Sequence, residues 1–226
     1  MPLPAPDVDR LFTLGSTYPS GDRLATVVAL PTAELPLPSG TVSACDPLVS
    51  LEDSETPFDE TAPPGRYPVT LSVVELTRPG APDARPDRRV AAARLRFRTE
   101  PAARWALSAD GDPDAVAALG DTDFFGYGVD TGTGCFFDAA ATEALSALLE
   151  EDEDLLQDAL DRDPAGLGPV LLLDPDSGAG LVAFTTGWGD GRYPTWAGYD
   201  ADGRPVGLVT EFFVVPQPGR RSDEED

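Results

Sequence analysis

Hydrophobic positions along this chain come mostly in short runs broken by proline and glycine, a pattern that predicts strands rather than long helices. Leu24-Ala-Thr-Val-Val-Ala-Leu30 and Thr41-Val-Ser-Ala-Cys45 are β-branched runs, the second stopped by Asp46-Pro47. From Tyr67 to Leu76, Val69, Leu71 and Val73 alternate with Thr70 and Ser72, the period of a strand with one face in the core. Val90 to Arg98 alternates as well, Leu95 and Phe97 against a row of Arg94, Arg96 and Arg98. The polar stretch 78–89 between these two runs predicts an antiparallel hairpin. Four more strands are expected at 169–174, 180–186, 194–199 and 205–215, the last ending in the apolar run Phe212-Phe-Val-Val215. Asp174-Pro-Asp-Ser-Gly178 and Asp200-Ala-Asp-Gly203 carry the residues that turns between strands require.

One segment has a different period. Asp138 stands where an N-cap belongs, ahead of Ala139 to Leu149, in which Leu145, Leu148 and Leu149 form a stripe at helical spacing. The acidic residues 150–154 lead into Leu155–Leu160, which continues or restarts the helix until Pro164 ends it. A shorter helical piece is expected at 113–119. Residues 1–20 read as an irregular lead-in that packs Leu11 and Phe12, and 51–66 as a long loop anchored by Phe58. The expectation is a mainly β protein, α+β at the margin. It comprises one domain over 1–215, two packed antiparallel sheets in a sandwich-like arrangement, with one helix inserted around 139–160. The stretch 216–226, ending Ser-Asp-Glu-Glu-Asp, offers no core residues and reads as a disordered acidic tail.

Composition narrows the chemistry more than it narrows the fold. Histidine, lysine, asparagine and isoleucine are all missing, and the 16 basic residues are all arginine, a bias that matches a GC-rich coding sequence. Without histidine there is no Ser-His-Asp or Cys-His machinery, and without lysine neither Schiff-base chemistry nor a phosphate-loop lysine. The formal net charge of −24 argues against nucleic acid, whose binding rests on cation clusters. That charge fits a soluble surface, an acidic face for a basic protein partner, or mimicry of nucleic acid. No apolar run approaches the roughly 20 residues of a membrane span, and the N-terminal residues show no signal-peptide pattern, so a cytoplasmic location is expected. Cys45 and Cys135 are the only cysteines; two buried thiols are expected, and a disulfide would require their two stretches to meet in space.

Two glycine-rich stretches hold the candidate functional residues. Gly126-Tyr-Gly-Val-Asp-Thr-Gly-Thr-Gly-Cys-Phe-Phe-Asp138 and Gly187-Trp-Gly-Asp-Gly-Arg-Tyr-Pro194 read as two halves of one centre, the second running on into the last strands. Their carboxylates, Asp130, Asp138 and Asp190, have two readings. Either they turn the chain and cap the helix through hydrogen bonds to local backbone, or they converge into a Ca²⁺ or Mg²⁺ site or an acid/base pair for a glycan. Trp188, Tyr193, Trp196 and Tyr199 are either core mass or a stacking platform for a ligand or partner. The row Arg94, Arg96, Arg98 is either a solvated face or a contact for an anion or partner.

The order of these pieces resembles a bacterial family of unknown function, DUF4241. The resemblance rests on Ala44-Cys-Asp-Pro-Leu48, Pro64-Gly-Arg-Tyr-Pro-Val69, Gly128–Asp138, Gly187–Pro194 and Leu208-Val-Thr-Glu-Phe212, and spans about residues 40–215. It implies no mechanism. The functional expectation is therefore a non-enzymatic, acidic interaction module, an immunity-type or regulatory partner of a basic protein, with no cofactor. The alternative is a carboxylate-based hydrolase or Ca²⁺-binding module using Asp130, Asp138 and Asp190.

Overall fold

The computed structural model describes residues 2–52, 56–80, 86–108 and 116–217. Its strands form antiparallel sheets throughout. The largest runs in the order β1 (Thr17–Ser20), β2 (Arg23–Ala29), β5 (Gly65–Thr77), β6 (Asp87–Arg96), β14 (Pro205–Glu211), β13 (Thr195–Tyr199), β7 (Arg104–Leu107). The expected hairpin is the β5–β6 pair at its centre. β5 is 13 residues long because one edge is paired twice: β2 takes its C-terminal half and β3 (Thr32–Leu37) its N-terminal half. Leu30-Pro31 lets the chain pass from one partner strand to the next. Pro36 within β3 is tolerated because that strand is an edge with no ladder on its other side.

A second sheet, in the order β10 (Val170–Leu173), β11 (Gly180–Thr185), β9 (Thr133–Asp138), β4 (Val42–Cys45), packs on the first. Val42, Ala44, Phe136, Val182 and Phe184 from its inner face join Leu35, Val69, Leu71, Leu95 and Leu208 in the main core. The outer face buries Cys45, Cys135, Phe137 and Leu181 under the helices. A two-stranded ribbon of β8 (Tyr127–Val129) and β12 (Gly191–Tyr193) completes the strands. The protein is thus mainly β, with few and short helices. Among the described residues none is long and apolar enough to cross a membrane.

Several expectations need correction. The single helix at 139–160 is three pieces: a 3₁₀ turn at Ala139–Ala141, then a helix over Thr142–Glu151 and another over Leu155–Arg162. The break falls in the acidic run Glu150–Asp154, where carboxylates oppose the negative end of the first helix and favour the positive start of the second. β5 is not half-exposed: Ser72 and Val74 are as buried as Leu71. The N-terminal lead-in covers that second face through the short helix α1 (Val8–Leu11), and the Ser72 hydroxyl donates to the carbonyl of Leu11 at 2.5 Å. The last strand ends at Glu211 rather than Val215. Gln217, assigned by its sequence to the tail, is buried, and its side-chain oxygen accepts from Asp7 N at 3.0 Å. The rest of that stretch, 218–226, lies outside the described residues, as do 81–85 of the hairpin connection and 113–115 of the short helical piece.

Candidate functional site

The two glycine-rich stretches do come together. β9 from the first pairs with β11, which leads directly into the second, and the β8–β12 ribbon joins them again. Glycine is required where the backbones approach most closely. A Cβ on Gly126 would lie 2.3 Å from the carbonyl oxygen of Tyr193. A Cβ on Gly187, whose φ is +40°, would lie 2.7 Å from Cβ of Phe212 and 2.6 Å from Val214.

The residue that locks this junction is one that sequence reasoning passed over. Asp46, 1% exposed, follows β4 and points its carboxylate at the start of β9. Oδ2 accepts from the backbone N–H of Asp130 at 2.9 Å and of Thr131 at 2.8 Å, and the Thr131 hydroxyl donates to the same carboxylate at 2.9 Å. Oδ1 also accepts from Leu48 N at 3.1 Å. The turn after β8 is therefore held by an acceptor 84 residues away, not by the side chain of Asp130. Next to Asp46, Cys45 faces Cys135 directly across β4 and β9, Sγ to Sγ 3.8 Å, both buried and both free thiols. The two stretches thus meet as a disulfide would require. Burial and the neighbouring Cys45 push the Cys135 thiol well above its ordinary range, which makes it a poor nucleophile at neutral pH.

The three motif carboxylates are not gathered at one point. Asp138 is fully buried: its Oδ1 accepts from Ala140 N at 3.0 Å as the expected cap, and its carboxylate also takes the backbone N–H and the hydroxyl of Ser39 at 2.9 and 2.5 Å. It closes the far end of β9, about 17 Å of strand from Thr133, near which Asp130 lies. Asp130 and Asp190 share the other end, flanking the Val129–Gly191 pair of the ribbon. Both are exposed, and neither carboxylate forms a hydrogen bond to another described residue. Among the described residues no group of three or more Cys, Asp or Glu converges as a metal site would.

The four aromatics divide the same way. Trp196 is 1% exposed, and Tyr193 is buried with its hydroxyl donating to Gly189 O at 2.7 Å and its ring edge-on to Phe212 at 5.0 Å. Tyr199 is half-buried and gives its hydroxyl to Glu60, which also accepts from Ser108 at 3.1 Å; burial and that carboxylate push its phenol up. Trp188 alone is presented to solvent, at 51%. The Arg89 guanidinium lies 4.2 Å over its ring, tied down by a 2.9 Å bond from Nη1 to Gly187 O and a 3.1 Å ion pair to Asp87. Beside it is Phe213, 37% exposed, whose carbonyl accepts from Trp188 Nε1 at 3.4 Å and whose ring leans on Phe124 at 5.5 Å. Phe213 has φ +53°, a left-handed backbone that turns this one side chain out from between buried Phe212 and Val214. Reading 205–215 as one strand hid it. The signal that would have found it is two adjacent phenylalanines, of which a strand with one solvated face buries only one.

The surface that emerges is an exposed Trp–Phe pair with an arginine laid along one side and Asp190 two residues from the tryptophan. No curated protein and no solved structure matches the chain. The family described as "Protein of unknown function (DUF4241)" matches residues 35–210, which contain Asp46, both glycine-rich stretches and Trp188 but stop short of Phe213. The chain belongs to the DUF4241 family.

Proposed function

We propose that this protein is a non-enzymatic interaction module, of regulatory or immunity type, that holds a basic partner protein against the face formed by Trp188, Phe213 and Phe124. The observation that carries this reading is the outward turn of Phe213. Holding an aromatic residue in the left-handed region costs about 1–2 kcal/mol, and here that cost brings the ring to the surface, 37% exposed, beside an exposed tryptophan. Tryptophan and arginine side by side are the residue types that dominate binding energy at protein interfaces. A basic partner is favoured by the net charge of −24 and by Asp123 and Asp190, exposed next to Phe124 and Trp188.

The test is co-purification from native lysate with wild type and with Trp188→Ala/Phe213→Ser, followed by calorimetry on the purified partner. A single basic protein retained by wild type, weakened at least about tenfold by the double variant and weakened by added salt, is the expected result. A partner that binds both forms equally, or one whose affinity ignores salt, removes the proposal. The urea midpoint of the double variant checks that its fold is kept.

A further inference from the structure

The row Arg94, Arg96, Arg98 does not simply face solvent. It lines a cleft of about 220 Å³ at the end of the large sheet, where β6, β14 and β7 meet α1. Trp105 forms another part of the lining, with Asp9 and Glu100 alongside. Gly207 on β14 is part of the lining. Gly207 pairs with Gly198 on one side and with Arg96 on the other. The Trp105 ring lies flat over Gly198, so close that a Cβ would come within 2.8 Å of it.

The arginines are held but not satisfied. Arg96 is fixed by its own backbone turn, Nε donating to Arg98 O at 2.8 Å and Nη2 to Thr99 O at 2.6 Å, which leaves Nη1 over. Arg94 stacks on Phe12 at 4.2 Å, and its buried Nε meets no acceptor. Arg98 donates through its backbone N–H to Val206 O at 3.2 Å, while its guanidinium donates to no described residue. Burial first, and then the charge of Arg96, push the Arg94 guanidinium below its ordinary value, with Asp9 acting the other way. In a chain of net charge −24, this is a local concentration of positive charge with hydrogen-bond donors to spare.

We propose that this cleft is a binding site for a small molecule bearing an oxyanion, a carboxylate or a phosphate, gripped by Arg94, Arg96 and Arg98 with Trp105 against its apolar part. Guanidinium forks suit both groups, since each presents paired oxygens. A polyanion is disfavoured, because its remaining charges would meet the acidic surface outside the cleft. This site is separate from the Trp188 face, and neither reading depends on the other.

Calorimetry with inorganic phosphate and with succinate, against chloride at matched ionic strength, tests the proposal and separates the two oxyanions. One saturable site per chain for at least one probe is expected, accompanied by a change in Trp105 fluorescence that Trp105→Phe abolishes. Arg98→Ala should weaken binding at least about tenfold, the loss of one or two charge-assisted hydrogen bonds. Arg98→Lys should fall between, because it keeps the charge and loses the fork. Arg96→Gln provides a second variant should Arg98→Ala fold poorly, and Arg162→Ala, on the last helix, should bind as wild type. The proposal is overturned if neither probe binds beyond chloride, or if Arg98→Ala and Arg96→Gln both bind as tightly as the parent.

Discussion

Asp46 makes the most quantitative prediction. Its carboxylate is 1% exposed and accepts from four donors: Asp130 N, Thr131 N, the Thr131 hydroxyl and Leu48 N, at 2.8 to 3.1 Å. A hydrogen bond to a charged acceptor contributes about 1.5–3 kcal/mol net, but four that share one carboxylate do not add. Asp46→Ala removes the acceptor and leaves the N–H groups of Asp130 and Thr131 without it, so the expected loss is about 3–5 kcal/mol. Asp46→Asn keeps the shape and one acceptor oxygen and should cost about 1.5–3 kcal/mol. Either is a large part of the roughly 5–15 kcal/mol that holds a domain together. In urea, with a slope of about 2–3 kcal/mol per molar, the midpoint of Asp46→Ala should fall by about 1–2 M. Hydrogen exchange gives the local readout: protection of the Asp130 and Thr131 amides should collapse before that of β5. Asp190→Ala, at an exposed carboxylate with no hydrogen bond among the described residues, should move the midpoint hardly at all. A shift for Asp46→Ala smaller than about 0.3 M at unchanged slope would show that the junction does not depend on this carboxylate.

Three further predictions rest on separate features. Gly187→Ala drives a methyl into Phe212 and Val214 and should cost about 1–3 kcal/mol, lowering the midpoint of thermal unfolding by several degrees; an unchanged Tm refutes the close approach. Cys45 and Cys135 should react with Ellman's reagent far more slowly in the native protein at pH 8 than in urea, where two thiols per chain titrate, because burial holds Cys135 protonated; rapid native reaction would contradict that burial. Asp200 accepts from Asp202 N, Arg204 N and Arg204 Nε at 2.8–2.9 Å, bonds that hold its carboxyl below the ordinary range. A depressed folded value means that its contribution is full above the unfolded value of about 3.9 and is lost as pH falls through the folded one. NMR titration should show Asp200 below that reference, with Arg204→Ala moving it upward; an ordinary titration in the parent refutes it.

What could be read along the chain was local chemistry. The Asp138 cap and the Asp174 and Asp200 turns each depend on residues within a few positions of one another, the β5–β6 hairpin joins two runs adjacent in the chain, and each is present. β8 and β9 were hidden because their glycines give them the composition of a loop. β9 is a strand because β4 and β11 flank it on both sides, which leaves all six of its residues buried. Asp46 was hidden for the same reason at greater range. A lone aspartate before proline looks like a turn residue until the chain brings back, 84 positions later, the N–H groups it accepts from. The Arg row was read correctly as alternating, but α1 and Trp105, which make it a cleft, lie outside its strand.

These contacts explain why the family's motif residues need not mark a reaction centre. Gly126 is accounted for by the carbonyl of Tyr193, and Gly187 by Phe212 and Val214. Asp138 serves the helix start and the Ser39 turn, and Tyr193 the 186–189 turn. Once each of these has its structural partner, Trp188 is the large apolar motif side chain left facing water, and its position follows from the same contact that fixes Gly187. Because Gly187 is pressed against Phe212, the chain on one side of that contact must send residue 188 outward. On the other side, the residue after Phe212 escapes the core only by taking the left-handed backbone seen at Phe213. One close backbone approach therefore displays both aromatics, and Arg89, laid over the Trp188 ring and bonded to Gly187 O, holds the exposed face in place.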